Sequence, residues 1–247
     1  MIGLHKFRMV RLILFVMLLV SLTSGCMYKN QIVQESPIQV KESMVLVQQA
    51  INDFHDKTGV LPIKTKPMDT PIFEKYVIDF NQLMRGGYLG NIPTTAYEKG
   101  GTFVYVLVDV ETKPTVKLFD LVAVQDIGEI QQLVNVYKQA RGELPIDIDL
   151  DNGYYSIDYQ LLKTDAKQIK SRYSSQFLGL MMDEDGTVSI DYAPEIMKQM
   201  QTLTANGKKD AMNTKDLRTL LVDHSFFVPV LSVPYELKNN EPIPVIK

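Results

Sequence analysis

The sequence predicts an α+β protein with two tandem copies of a helix packed on a small antiparallel sheet, then a C-terminal helix and a proline-rich extended tail. Three observations support this prediction. Two similar segments recur 83 residues apart, each copy begins with apolar residues at helical spacing, and each continues into short runs rich in β-branched and aromatic residues. We place the copies at residues 42–121 and 126–203, and the C-terminal part at 213–247.

The recurrence depends on blocks that occur in the same order in both copies. The first block, VQQAINDFHDKTGVLPI at 47–63, aligns without gaps with IQQLVNVYKQARGELPI at 130–146. The second is a Tyr-x-Ile-Asp motif that ends at Asp79 in one copy and at Asp158 in the other, and a weaker Gly-Thr block follows in each. Because ordered matches of this kind are hard to obtain by chance, we interpret the segments as copies of one fold unit. We expect the two aspartates to cap the segments that follow them.

Each copy opens with an amphipathic helix. Gly59 and Gly142 can adopt the left-handed conformation at the helix C-terminus, and the Leu-Pro pair that follows each glycine predicts an extended exit. The apolar stripes have the same spacing of three and four residues: they consist of Met44, Val47, Ile51 and Phe54 in the first copy and of Ile127, Ile130, Val134 and Tyr137 in the second.

Antiparallel strands follow each helix. TFVYVLVDV at 102–110 and TVKLFDL at 115–121 predict a strand pair joined by a turn. In the second copy, residues 177–182 and 187–192 flank an Asp-Glu-Asp-Gly turn, in which glycine supplies the positive φ.

The C-terminal part does not recur. Asn213 can cap a short helix from Thr214 to Asp223. Four prolines follow in FFVPVLSVPYELKNNEPIPVIK, and proline cannot donate a hydrogen bond to a central strand ladder. We therefore predict an edge strand or an extended strap over the surface that packs along one or both copies.

The N-terminus has the pattern of a secretion signal. Lys6, Arg8 and Arg11 precede the apolar run Leu12–Val20, which is much shorter than the roughly 20 residues of a membrane span. Small residues follow, and the run LTSGC ends at Cys26, the only cysteine of the chain.

The LTSGC motif resembles a bacterial lipobox. The resemblance implies that residues 1–25 are a cleaved signal peptide, that Cys26 carries a diacylglycerol, and that residues 26–41 form a tether. Two or more acyl chains hold a protein stably at a bilayer, at about 0.8 kcal/mol per buried CH₂. We therefore expect a lipid-anchored protein on the extracytoplasmic face of the cell membrane, without disulfides because its one cysteine carries lipid.

Charge narrows the range of partners. The net charge is −3, and removal of residues 1–25 takes away three basic and no acidic residues, which makes it about −6. This net negative charge argues against nucleic-acid binding and against electrostatic binding to anionic lipid. Contact with the membrane is therefore expected through the N-terminal lipid.

Residues suited to catalysis are few. His55 lies near the end of the first helix, where a cation is favourable, and we expect it at the surface. Asp223, His224 and Ser225 are adjacent in sequence, whereas a catalytic triad is built from side chains that converge in space. We expect no enzymatic activity and no cofactor.

An acidic segment is the weak candidate for a metal site. Asp147, Asp149 and Asp151 alternate, and Asp158 follows at a distance that suits a calcium loop. A calcium loop of the EF-hand type has glycine at its sixth position, where this chain has Asn152. The alternative is an acidic surface strand and turn, which we favour.

Two wider resemblances carry implications of their own. The motifs GVLP at 59–62, DFNQL at 79–83, GYL at 87–89 and GGTFVY at 100–105 resemble the soluble half of a pseudopilin over about 60 residues, and this implies only a common layout. Nearly all of the chain after Cys26 is similar to a family of uncharacterised lipoproteins from endospore-forming Gram-positive bacteria. That family brings no established activity.

Taken together, these features predict a non-catalytic interaction or assembly module at the cell envelope, with an envelope or membrane protein as its partner. The alternative is the substrate-binding lipoprotein of an ABC-type transporter, with a small molecule in a cleft between the two copies. An envelope hydrolase would require a deep pocket that holds a carboxylate or histidine with a shifted pKa.

Overall fold

The computed structural model describes residues 36–150 and 152–245, which belong to one compact unit. Helices and small antiparallel sheets are mixed along it, so the predicted α+β class is confirmed. The helices are α1 (Pro37–Thr58), α2 (Ile72–Lys75), α3 (Phe80–Arg85), α4 (Leu121–Arg141), α5 (Ala193–Ala205) and α6 (Arg218–Asp223), with 3₁₀ turns at Tyr97–Lys99 and Lys209–Met212. The strands are β1 (Phe103–Val108), β2 (Thr115–Asp120), β3 (Ile146–Asp149), β4 (Tyr154–Ile157), β5 (Ile169–Lys170), β6 (Phe177–Leu178), β7 (Leu180–Asp183), β8 (Val188–Ile190), β9 (Tyr235–Lys238) and β10 (Glu241–Pro244).

Helix α1 buries the predicted apolar stripe and ends where predicted. Gly59 has a φ of 73°, and its N–H donates to the carbonyl of His55 over 2.8 Å. Proline is accommodated in the first turn, where its missing N–H has no helical acceptor to lose. Because α1 begins at Pro37, residues 37–41 are helical and the predicted tether is shorter at this end.

Helix α4 follows β2 without a linker, so it starts before the predicted second copy. The carboxylate of Asp120 accepts the N–H of Val122 over 3.0 Å and fixes the helix start. The helix ends at Gly142, with a φ of 76° and an N–H that donates to the carbonyl of Lys138. Its predicted stripe is buried at Ile127, Ile130 and Val134, while Tyr137 is half-buried.

The two sheets share an order of antiparallel pairings. After α1, the bridge between Ile63 and Ile78 is followed by a bridge from Val77 to β1, and β1 pairs with β2. After α4, the chain forms a four-stranded sheet in the order β3-β4-β7-β8. The predicted strands at 102–121 and 177–192 are therefore present, with the second set broken at Gly179.

Both faces of the β1–β2 hairpin are buried. Tyr105 and Leu107 belong to the apolar cluster under α1, whereas Val106 and Val108 belong to the cluster around α4. This explains why the strand is an uninterrupted run of apolar residues instead of an alternating pattern.

A glutamine side chain covers part of the outer edge of β2. The amide Nε2 of Gln48 donates to the carbonyl of Pro114 over 3.0 Å and to Oδ1 of Asn52 over 2.9 Å. Its Oε1 accepts the N–H of Val116 over 2.8 Å. The side-chain amide thus supplies the donor and acceptor that a neighbouring strand would otherwise provide.

Gln131 makes the corresponding contacts on the outer edge of β8. Its Nε2 donates to the carbonyl of Gly186 over 2.8 Å and to Oδ1 of Asn135 over 3.0 Å. Its Oε1 accepts the N–H of Val188 over 2.7 Å. The glutamine and asparagine are those that recur in the sequence, so matched residues make matched hydrogen bonds.

The C-terminal segment continues along both edges. The N–H of Leu118 donates to the carbonyl of Phe226, and the N–H of Val228 donates to the carbonyl of Leu118, over 2.8 and 2.9 Å. The N–H of Ile190 in β8 donates to the carbonyl of Leu231 over 2.9 Å. The predicted strap therefore packs along both sheets, and β9 and β10 then form a hairpin that was not predicted.

Two details of the C-terminal prediction are wrong. The strap is not confined to the surface, because Val228, Val230 and Tyr235 are buried. The helix begins at Arg218 and not at Thr214, because the carboxylate of Asp216 accepts the N–H of Arg218 and also binds its guanidinium. Across the ranges described above, no helix is both long and apolar enough to cross a membrane.

Candidate functional site

A cleft of about 850 Å³ lies between α1 and α5. Residues of α1 from Met44 to Asn52 line one side, and residues of α5 from Glu195 to Thr202 line the other. The segment 221–227, the start of β2, Arg172 and Tyr173 complete the lining. The cleft therefore lies between the two predicted copies, where the strap joins their edges.

Lys117 fixes one part of this lining. It extends from β2 and donates to the carbonyls of Val222 and Ser225 over 2.5 and 2.6 Å. These carbonyls lie at the end of α6, where helix backbone oxygens lack partners and favour a cation. Burial lowers the pKa of Lys117, although the carboxylates of Asp223 and Asp109 oppose this effect. Lys117 thus connects the first sheet to the C-terminal segment.

Arg172 is held from two directions. Its Nε donates to Oδ2 of the buried Asp120 over 2.5 Å. Its guanidinium carbon lies 5.2 Å from the ring centroid of Phe103 and 5.9 Å from that of Phe227. The ion pair and the aromatic contacts together restrict the orientation of the guanidinium at the cleft.

Glu195 is a buried carboxylate in the cleft lining. Only 2% of the residue is exposed, and its Oε1 accepts the hydroxyl hydrogen of Ser174 over 2.5 Å. It lies in the first turn of α5, where the helix dipole favours a negative charge. Glu195 therefore ties α5 to the loop that carries Arg172.

The cleft also exposes apolar surface. Phe226 is 43% exposed, Val45 of α1 is 64% exposed, and both line the cleft. Exposed apolar side chains beside polar groups are typical of surfaces that bind a ligand or a partner.

Asp223, His224 and Ser225 do not converge in space as the residues of a catalytic triad do. Asp223, His224 and Ser225 all line the cleft, but as neighbours along one segment. The Ser225 Oγ accepts the N–H of Phe227 over 3.0 Å, which is a local turn contact. His55 lies in the last turn of α1, outside the cleft lining, and is half-buried.

The aspartates of the acidic segment differ in their surroundings: those on β3 are exposed, whereas Asp158 caps the turn that follows it. Asp147 and Asp149 lie on the exposed strand β3. Asp158 accepts the N–H groups of Gln160 and Leu161 over 2.8 and 3.1 Å, which is the expected capping role. Among the described residues, no three acidic, histidine or cysteine side chains lie close enough to hold a metal ion. Asp151 and Cys26 lie outside the described residues.

Asp79 has the same role in the first predicted copy. Its carboxylate accepts the N–H of Asn81 over 3.0 Å and the amide of Gln82 over 3.0 Å. Although burial raises the pKa of Asp79, the hydrogen bonds from Gln82 and Asn81 outweigh that effect and lower it. This carboxylate supports the start of α3 and does not line the cleft.

Lys117, Arg172 and Glu195 are cleft residues that the sequence analysis above does not predict. A lysine inside the apolar strand TVKLFDL was the one available signal, because a buried lysine requires acceptors. Arg172 and Glu195 lie in unremarkable polar surroundings in the sequence, and only the folded chain brings them to one cleft.

Comparison with known proteins gives one match. Residues 40–120 are similar to the YphF family N-terminal domain, an uncharacterised family. The match covers most of α1 and continues to the end of β2, including Gln48, Lys117 and Asp120. Searches of the curated proteins and of the solved structures found no match.

Proposed function

We propose that the protein is a non-catalytic, lipid-anchored interaction module on the extracytoplasmic face of the cell membrane, and that the cleft between α1 and α5 binds its partner. The observation that supports this proposal best is the cleft itself, whose lining includes Phe226 with 43% of its surface exposed. An apolar surface of this kind is stabilised when a partner removes it from water, at roughly 25 cal/mol per Å².

The charged groups of the cleft support a binding role over a chemical one. The ammonium of Lys117 is bound by two carbonyls, and the carboxylate of Glu195 accepts a hydrogen bond from Ser174. Such groups define the shape of the site, whereas a general acid or base must be free to exchange a proton with substrate.

The matched contacts of Gln48 and Gln131 support a duplication, in which the cleft arose where two copies of one fold unit meet. The anchor rests on the lipobox resemblance at Cys26, which would keep the cleft close to the membrane surface. An envelope or membrane protein is therefore the proposed partner.

A second candidate is a substrate-binding lipoprotein of an ABC-type transporter. The volume of about 850 Å³ favours it, because small-molecule sites commonly measure about 300–1,000 Å³. The polar side chains of Gln49, Asn52 and Gln199 on the walls could orient such a molecule.

Crosslinking in intact cells tests the proposal. The tagged protein and its Cys26→Ser variant are treated with a crosslinker, purified and analysed by mass spectrometry. One reproducible envelope partner that depends on Cys26 is the expected result. Recovery of a permease and its ATPase would favour the transporter candidate, and an equal yield from both variants would contradict the membrane-bound role.

A further inference from the structure

If the cleft is a binding site, as proposed above, its chemistry indicates what it binds. We infer that it binds a ligand with a single carboxylate on an apolar body, and that Arg172 receives the carboxylate while Phe226 contacts the body. The ligand would be either the C-terminal residue of a peptide or a free apolar acid, since both present the same chemical group.

Arg172 presents the correct donors. Asp120 engages Nε, and among the described residues no hydrogen bond is made by the terminal amino groups Nη1 and Nη2. The side chain is 36% exposed and lines the cleft. Two parallel N–H donors on a planar guanidinium match the two oxygens of a carboxylate.

The position of this guanidinium is already fixed. Contacts with Asp120 and with the rings of Phe103 and Phe227 restrict the rotamers of Arg172 before any ligand arrives. A preorganised donor loses less conformational entropy on binding than a free surface arginine would. Arg172 is therefore preorganised to bind a carboxylate.

Other charges of the cleft limit the ligand to a small negative charge. Three basic and two acidic side chains line it. Lys117 is held by carbonyls and Glu195 by Ser174. An anion therefore meets Arg172, which is paired with Asp120 through Nε, and the exposed Lys198, while the exposed Asp223 also lines the cleft. A phosphate dianion would place two negative charges beside the carboxylates of Asp120, Glu195 and Asp223, whereas a carboxylate ligand adds only one.

The apolar part of the ligand is inferred from the exposed apolar side chains of the cleft lining. Phe226 and Val45 expose the largest apolar side-chain surfaces of the cleft, and both lie on its lining. An aromatic or aliphatic group that covers Phe226 would remove this surface from water and leave its carboxylate near Arg172. The combination favours an apolar amino acid with a free carboxyl group over a polar sugar.

Two matched probe pairs test this inference by isothermal titration calorimetry on the intact protein. N-acetyl-phenylalanine is compared with N-acetyl-phenylalaninamide, and N-acetyl-alanyl-phenylalanine with its amide. We expect each acid to bind at least tenfold more tightly than its amide. A tighter dipeptide acid indicates a peptide C-terminus, whereas equal affinity of the two acids indicates a free acid.

Single-residue variants show which side chains are responsible for the preference for the acid over the amide. Arg172→Gln should abolish the preference for the acid, and Arg172→Lys should retain part of it, because one ammonium replaces a two-donor fork. Phe226→Ala should weaken acid and amide alike by at least fivefold. Phe177→Ala removes an exposed phenylalanine outside the cleft lining and should change neither affinity.

Loss of the Asp120 ion pair could unfold Arg172→Gln, so circular dichroism spectra of each variant are recorded first. Lys198→Gln changes an exposed residue and should reduce the acid preference without affecting the fold. The inference is overturned if acid and amide bind equally, if no probe binds, or if a folded Arg172→Gln keeps the preference. Partner capture in cells that depends on Phe226 but not on Arg172 would overturn it while leaving the proposed function intact.

Discussion

Removal of the Gln131 side chain tests whether the two glutamines stabilise the sheet edges. In Gln131→Ala, the carbonyl of Gly186 and the N–H of Val188 lose their partners at 2.8 and 2.7 Å. Each lost hydrogen bond of this kind costs about 1 kcal/mol, so the free energy of unfolding should fall by about 2 kcal/mol.

Gln48→Ala should cost the same amount. It removes the partners of the Pro114 carbonyl and the Val116 N–H, at 3.0 and 2.8 Å. The two sites lie on different sheets without shared contacts, so the double variant should lose about 4 kcal/mol. Equal and additive losses of unfolding free energy are expected only if each glutamine stabilises the edge of its own sheet through the same kind of hydrogen bonds.

Equilibrium urea unfolding of the purified protein, followed by circular dichroism, measures these changes. Gln132→Ala is the matched control, since it removes an exposed glutamine from the next position of the same helix and should cost less than about 0.5 kcal/mol. Gln131→Glu should be intermediate, because it keeps the acceptor for Val188 but loses the donor for Gly186. The reasoning is refuted if Gln131→Ala costs no more than Gln132→Ala.

Three further predictions concern other parts of the molecule. Arg218→Ala should cost about 3–5 kcal/mol in urea unfolding, because it leaves Asp216 without its buried partner and removes the cation 4.9 Å from the ring of Phe73. Gly101→Ala should cost about 3 kcal/mol, since its Cβ would lie 2.2 Å from the Thr95 backbone, whereas Gly128→Ala has open space in α4 and should stabilise the protein by about 0.5–1 kcal/mol. The pKa of Asp79 is lowered in the folded state, so its contribution to stability is present above the ordinary value of 3.8 and is lost as the pH falls through the folded pKa. In Asp79→Asn, the free energy of unfolding measured against pH should no longer show this loss.

Local features of the fold could be predicted because they are determined by short stretches of sequence. The stripes of α1 and α4, the glycines that end them and the capping roles of Asp79 and Asp158 depend on neighbours within a few residues. The helix predicted from Thr214 begins later for a local reason as well, because the carboxylate of Asp216 accepts the N–H of Arg218 in a turn just before the helix. A propensity pattern does not show which of two nearby polar residues, Asn213 or Asp216, determines where the helix begins.

The cleft could not be predicted because its contacts join distant parts of the chain. Lys117 meets carbonyls more than 100 residues later, and Arg172 meets Asp120 across 52 residues. The buried path of the strap depends on free edges of two separate sheets, which no sequence window contains. Prolines in the strap indicated an edge position but could not indicate how deeply it would be buried.

Site-specific photocrosslinking measures most directly whether the cleft is the interaction site. A photoreactive phenylalanine analogue is placed at Phe226 in the cleft or at Phe177, which is exposed but outside the cleft lining, and living cells are irradiated. A defined crosslinked partner is expected at position 226; it should be absent at position 177 and should depend on Cys26. Crosslinks of equal yield at both positions, or none at position 226, would contradict it.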